Sequence, residues 1–404
     1  MPTKQITSVV WSCGALPAGV SFNTATGTFS GTPEVEGEYI VPVTVTTNYG
    51  TDMKNVTLSV AEPEVEEDGE YGPVYAIGTK AKTWSGNAEA DADGFRKLNM
   101  PDACRLVKLC TGFAAKTDSL QWYVCGTTIH GSSSAHPKPY GVTGLSPSVP
   151  VQFPVEDVVD MSSGWYRVTS SVSGSYYFAY LTSDHVSHVV LLMTANSAIT
   201  SVGNIKKLSS GYGAGVMTID NTGATRYENA TVRGQLAVGV SPSQVKKLLA
   251  TGMYSKPRMP TYITTSGYLY KGAERVDFGG GKIRNIWGYP HGEKQHLFAV
   301  TEDNQLYAMG ENTYHSLGLD GTETRTELEL VGEWDVKTIA QGSTMDTFLL
   351  TNDGKLYHSG AAMSVYDISK IVSTHESFTH IYPDKRFIDI AMYSSTTLVA
   401  ILKE

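Results

Sequence analysis

Asp184, His185 and His188 carry donor atoms that ligate metals or move protons, and they stand close together in the chain. A metal site needs such donors to converge on one point. Along a strand, residues 185 and 188 face opposite sides, so a shared ligand set would require a bulge or a loop. Phe278-Gly279-Gly280-Gly281-Lys282 poses a second question, because a phosphate cradle also places glycines ahead of a lysine. The spacing is not that of G-x-x-x-x-G-K-[ST] and no helix pattern follows, so the stretch reads as a turn between strands. Cys13, Cys104, Cys110 and Cys125 form no C-x-x-C pair and have no histidine at zinc-ligand spacing, which leaves buried reduced thiols. No G-x-S-x-G elbow, H-E-x-x-H motif or matched cysteine and histidine motif occurs. Acid pairs on loops leave a glycosidase site open, since carboxylate separation decides that chemistry and the sequence does not supply it. The expectation is a non-enzymatic protein without catalytic residues, metal or cofactor.

Contact chemistry has a better candidate. GTTIHGSSSAHPKPYGVTG, residues 126–144, is the longest polar insertion, and its serines and glycines cannot build a core. His130, His136 and Tyr140 are the side chains there that a partner would meet. An adaptable loop with no ligand remains the other reading.

These residues need a scaffold, and the sequence points to an all-β one. In LPAGVSFNTATGTFSGTPEVEGEY, residues 16–39, Pro17 and Gly19 make a turn, residues 20–22 a short strand, and residues 23–27 a polar hairpin connection. Residues 28–30 return as a strand before Gly31-Thr32-Pro33 turns again. Val41, Val43 and Val45 lie two apart, as do Val56, Leu58 and Val60, so each set lines one strand face. The order L-P-x-G, N-x-x-T-G, S-G-T-P, G-x-Y resembles the bacterial and phage immunoglobulin-like module found on adhesins and virion proteins. That resemblance implies a small β-sandwich over residues 1–60. Modules of that family carry more chain ahead of the first turn than the Lys4-to-Cys13 stretch here, so an open strand edge is expected. AEPEVEEDGE, residues 61–70, then reads as an acidic, solvated linker.

Residues 71–404 repeat themselves. HLFAVTEDNQLYAMG and DTFLLTNDGKLYHSG share one frame: an apolar strand, a tight polar turn, and a second strand with Tyr ending near Gly. The frame recurs as MPTYITTSGYLYKGA, GVMTIDNTGATRYENA, WYRVTSSVSGSYYFAY and GFAAKTDSLQWYVCG. Its tyrosines, Tyr123, Tyr177, Tyr227, Tyr270, Tyr307 and Tyr357, recur at roughly forty to fifty residues, the spacing of propeller blades. Their strand position makes them core packing rather than a binding ladder. GPVYAIG, with Tyr75, is a second half-frame with no first half, and TTLVAILKE at the end is a first half with no second. Joined, they would complete a seventh blade and remove two sheet edges. QLYAMGENTYHSLGLDG, with the later VKTIAQGSTMDTFLLTNDGKLY, is similar to the repeat of the regulator of chromosome condensation family. Gly310, Asn312, Leu317, Gly318, Gly342, Asp353 and Gly354 carry the match, whereas Met309 replaces a Trp and His315-Ser316 a Gly-Gln. The resemblance implies a seven-bladed β-propeller; it transfers no residue for nucleotide exchange on a GTPase.

Composition bounds the function. The 404 residues include 40 Gly and 23 Tyr with only 18% charged residues, which suits an ordered, turn-rich β protein. A net charge of -9 argues against nucleic-acid or anionic-membrane partners, which need a basic footprint. No signal-peptide core or twenty-residue apolar span is present, so synthesis in a host cytoplasm without membrane insertion is expected. With the phage context that the resemblance to the immunoglobulin-like module implies, these readings lead to a bacteriophage virion accessory protein: a capsid decoration, collar, whisker or fibre component on the virion surface. Its immunoglobulin-like domain would hold virion structural proteins, and its propeller would meet a host-surface glycan or protein. A bacterial surface binding protein and a glycan-cleaving propeller enzyme are the alternatives.

Overall fold

The structure, a computed structural model, describes residues 6–17, 19–31, 37–60, 69–109, 112–117, 121–126, 148–166, 175–191, 199–202, 205, 207–211, 215–220, 223–228, 231–236, 238–241, 244–249, 260–289, 296–342, 345–361, 373–393 and 396–404. The chain divides into two compact units, Met1–Asp68 and Gly69–Glu404.

The first unit contains β1 (Val9–Cys13), β2 (Val20–Asn23), β3 (Thr28–Gly31), β4 (Gly37–Thr47) and β5 (Gly50–Val60). β1, β4 and β5 form a three-stranded antiparallel sheet in that order, and β2 pairs with β3 as a separate hairpin. Period-two alternation sets the faces: Trp11 lies opposite Val45, Cys13 opposite Val43, and Val41 opposite Val56. Val41 is fully buried. The β2–β3 hairpin docks at Trp11, whose N–H donates to the Thr24 carbonyl. Gly27 sits against the indole with φ +70°, where a Cβ would lie 2.8 Å from the ring. The opposite sheet face carries Val10, Ile40 and Met53, all at least 60% exposed.

The second unit opens with β6 (Val74–Gly78), the one-turn helix α1 (Ala81–Trp84) and β7 (Arg96–Lys97). The next sheet holds β8 (Ala103–Leu109), β9 (Gly112–Thr117), β10 (Trp122–Gly126) and β11 (Val151–Gln152). β12 (Val158–Tyr166), β13 (Ser175–Thr182), β14 (Ser187–Leu191) and β15 (Ile199–Val202) follow. Then come β16 (Lys207–Gly211), β17 (Gly215–Asp220), β18 (Gly223–Glu228) and β19 (Thr231–Leu236). A further sheet has β20 (Val245–Leu249), β21 (Thr261–Thr264), β22 (Leu269–Lys271) and β23 (Glu274–Val276). β24 (Ile283–Tyr289), β25 (His296–Thr301), β26 (Gln305–Gly310) and β27 (Arg325–Glu333) make the next. β28 (Val336–Ala340), β29 (Asp346–Thr351), β30 (Leu356–Gly360) and β31 (His375–Ile381) precede the final pair, β32 (Phe387–Tyr393) and β33 (Thr397–Leu402). Among the described residues these strands form seven four-stranded antiparallel sheets.

The last sheet joins both ends of this unit, in the order β32-β33-β6-β7. Thr397 pairs with Gly78 and Ile401 with Val74. β33 is buried throughout because both of its faces are covered. Leu398, Ala400 and Leu402 enter a cluster with Phe348, Leu350 and Leu356, whereas Val399 and Ile401 enter one with Trp84, Leu106 and Phe113. Similar clusters join the β8 sheet to the β12 sheet, and link the β16, β20, β24 and β28 sheets in turn. The β12 and β16 strands are in contact as well.

Six of the seven first-to-second strand pairings share an irregularity, a one-residue slip between Ala103 and Arg105, Val158 and Asp160, Val245 and Lys247, Ile283 and Asn285, Val336 and Thr338, and Phe387 and Asp389. A bulge of this kind re-aims the side chain that follows it. Those side chains stitch neighbouring sheets together. Arg105 donates to Asp160 at 2.9 Å, Lys247 to Asn285 at 2.8 Å, and the Leu106 N–H to Asp389 at 2.6 Å. Burial raises the Asp389 carboxyl to about 6 despite that bond.

The frame around Tyr177 is displaced by one hairpin from the sequence expectation. Tyr177 lies in β13, the second strand of its sheet, paired with Gly164 of β12, while Tyr75, Tyr123, Tyr227, Tyr270, Tyr307 and Tyr357 all lie in third strands. The sequence between β12 and β13, RVTSSVSG, is polar and ends in Gly, so by composition it resembles the tight polar turn of the repeated frame.

Candidate functional site

In each four-stranded sheet the first-to-second and third-to-fourth connections leave from one end. At that end of the β24 sheet, residues 311–324 form a loop organised by Asn312, which is fully buried. The Asn312 amide donates to the carbonyls of Leu319 (2.9 Å) and Gly321 (2.7 Å), and its oxygen accepts the Leu317 N–H at 3.0 Å. Such a side chain satisfies three backbone groups that no strand can reach. Gly318 turns the loop at φ +70° against the Phe378 ring, where a Cβ would approach to 2.6 Å. The loop is thereby locked, and it holds Tyr314 outward at 40% exposure.

Beneath the loop lies a polar cluster built from two neighbouring sheets. The Ser359 hydroxyl donates to the His315 carbonyl at 2.6 Å, and the Nδ1 atoms of His358 and His375 lie 3.0 Å apart. Burial, reinforced by His375, holds the His358 imidazole down to about 3, so it is neutral at pH 7. Burial also lowers His375. One strand end away, Gln341 donates to Thr347 Oγ1 at 2.8 Å and lies 2.7 Å from His296 Nδ1. Lys108, from β8, reaches the Gln341 carbonyl at 2.7 Å across the end of the intervening β32 sheet. His296, Gln341, Thr347, His358 and Ser359 are buried and His375 is half-buried, so the cluster spends its hydrogen bonds inside the protein, where it braces the loop that carries exposed Tyr314.

His130, His136 and Tyr140 lie outside the described residues. Their connection runs from Gly126, the last residue of β10, to β11, and so leaves its sheet at the same end as residues 311–324. Asp184 and His185 occupy the β13–β14 turn, whereas His188 is in β14 with its ring stacked on Tyr180 at 4.6 Å. The Asp184 carboxylate instead accepts from Thr182 Oγ1 at 2.6 Å, and among the described residues no cluster of three or more His, Cys, Asp or Glu side chains is placed to hold a metal. Cys13, Cys104 and Cys125 are free thiols, burial raises the latter two, and Cys110 falls outside the described residues. The glycine run 278–282 links β23 to β24 as an inter-sheet connection, and it borders a surface cleft.

The sequence did not flag His296, Gln341, His358 or His375. They are brought together by strand register, which joins positions far apart in the chain. Asn312 was visible as a repeat residue, but not its role as the loop's internal anchor.

Residues 2–61 match the family model described as Putative Ig domain. No curated protein sequence matches the chain. Among solved structures, the chain is similar to yeast RCC1 (Prp20) bound to Kap60, with 13% identity, a TM-score of 0.59, and coverage of 83% of this chain and 90% of that one. It is also similar to Prp20p from Saccharomyces cerevisiae, described with its binding to Gsp1p and histones, at 12% identity and a TM-score of 0.57 over 83% of this chain and 92% of that one. The similarity is one of fold. The second unit is propeller-like, and it follows an immunoglobulin-like domain. No helix among the described residues is long and apolar enough to cross a membrane.

Proposed function

We propose that the chain is a non-enzymatic binding scaffold: a small immunoglobulin-like sandwich at residues 1–60, an acidic linker at 61–70, and a seven-bladed propeller at 71–404. The observation that carries this reading is the locked loop at residues 311–324, which presents exposed Tyr314 and is braced from beneath by a buried histidine cluster. A rigid, exposed aromatic makes a contact point that loses little entropy on docking. Yeast RCC1 (Prp20), of similar fold, is bound to Kap60, which adds support for a protein ligand. The long connection with His130, His136 and Tyr140, outside the described residues, is a second candidate for partner contact.

The setting we propose is the surface of a bacteriophage particle, where the first unit anchors to virion structural proteins. β1 is an edge strand of its sheet, and the sheet's outer face carries exposed Val10, Ile40 and Met53. A partner strand along that edge would satisfy backbone groups and cover apolar side chains in one step. Imaging of intact particles with and without the gene product tests the setting: density lost with the gene supports it, and identical particles refute it. Incubation of the purified chain with host-surface glycan should give saturable binding without turnover. Release of reducing ends, abolished by changing one Asp or Glu, would make the protein an enzyme instead.

A further inference from the structure

At the opposite end of the β20 sheet, the β21–β22 turn meets the glycine run that leads into β24. The Ile283 N–H donates to the Gly267 carbonyl at 2.8 Å, which fixes the two segments side by side. Between them lies an open surface cleft of about 240 Å³, bordered by exposed Tyr268, Arg275, Asp277 and Lys282 and by half-buried Phe278. The Arg275 guanidinium lies 3.7 Å from the Tyr268 ring centroid. Stacking uses the flat face of the guanidinium and leaves its edge N–H fork available for a bidentate oxyanion. Among the described residues neither Arg275 nor Lys282 is ion-paired with a carboxylate, although both border the same space. Asp277 accepts the Gly279 N–H through one oxygen at 3.2 Å. Its second oxygen is an acceptor suited to a hydroxyl.

We propose that this cleft binds a single sugar ring bearing an oxyanion, with the anion on Arg275 and Lys282 and a ring hydroxyl on Asp277. A bare inorganic anion would leave much of the volume empty and would gain nothing from Asp277. The shared chemistry, an oxyanion on a hydroxylated ring, can come from a uronic acid or from a sugar phosphate. The site lies at the other sheet end from the histidine cluster and stands independently of the protein-binding reading.

The test titrates the full chain with galacturonate, galactose 6-phosphate and galactose by ligand-observed NMR. At least one acidic sugar should bind about tenfold tighter than galactose, and the one that does identifies the oxyanion. Arg275→Gln and Lys282→Gln should each weaken that binding about tenfold, while Lys271→Gln, outside the cleft, leaves it unchanged. Lys282 is an exposed loop residue, so its variant isolates the charge if the Arg275 variant misfolds. Equal binding of acidic and neutral sugar, or acidic-sugar binding indifferent to both variants, overturns the proposal. So does the lack of saturable binding up to about 10 mM of either acidic sugar, the weak end of specific recognition.

Discussion

Removing residues 396–404 deletes β33 and strips the partner strand from both β32 and β6. Leu398, Val399, Ala400 and Ile401 are fully buried and Leu402 is 8% exposed. The four larger side chains are each worth about 1.5–3 kcal/mol in burial, so about 6–12 kcal/mol of apolar stabilisation is lost, an upper figure because unfolded chains already bury some surface. A domain's whole stability is about 5–15 kcal/mol. The deletion also exposes two strand edges and opens the clusters on both faces of the sheet. Scanning calorimetry of the truncated chain should therefore show the propeller-like unit without a cooperative transition, and the protein should bind hydrophobic dyes or aggregate. A graded version is Leu398→Ala, expected to cost about 2–5 kcal/mol, with Lys403→Ala as an exposed control within about 0.5 kcal/mol. A truncated protein that stays soluble with an unchanged transition would refute the reasoning that β33 completes the fold.

Three further outcomes follow from individual residues. Asn312→Ala strands buried backbone groups at Leu317, Leu319 and Gly321, so it should cost about 2–4 kcal/mol and speed hydrogen exchange at Leu317; unchanged exchange would mean the loop is held by other contacts. His358, held down to about 3 from an ordinary 6.5, stays neutral in the folded chain while the unfolded chain takes up a proton, so stability falls as pH drops below about 6.5. The loss is about 2 kcal/mol by pH 5 and should disappear from the pH 7-to-5 difference in His358→Gln; an identical pH slope in the variant would show that another group titrates. Gly27→Val forces a β-branched residue into φ +70° against Trp11, and denaturation of the first unit should shift by about 1–3 kcal/mol or more, with a neutral result contradicting the docked hairpin.

The hairpins around Tyr307 and Tyr357 were legible because their chemistry is local. Fully buried second strands with apolar centres lead into tight turns, and Gly354 takes φ +80° where the sequence has Asp-Gly. The slip at Tyr177 shows the limit of periodicity: its distance from Tyr123 and Tyr227 fits the repeat, yet hydrogen bonding assigns it to a different strand. The recurrent bulges were invisible because one extra residue breaks the alternation by which strand faces are read. Asp389 illustrates the cost of missing them, since its contact with Leu106 crosses from one sheet to the next. The histidine cluster depends on register as well: Gly360 of β30 lies opposite His375, which brings that ring to His358. Nothing in the residues between these histidines announces the pairing.

The measurement that bears most directly on the scaffold account is attachment of the separated units. Residues 1–68 and 69–404, expressed apart, would each be added to phage particles lacking the full protein and followed by co-sedimentation. The account predicts that the first unit attaches and saturates while the propeller-like unit stays in solution. Attachment of the propeller-like unit alone would contradict it and make the immunoglobulin-like domain the displayed end.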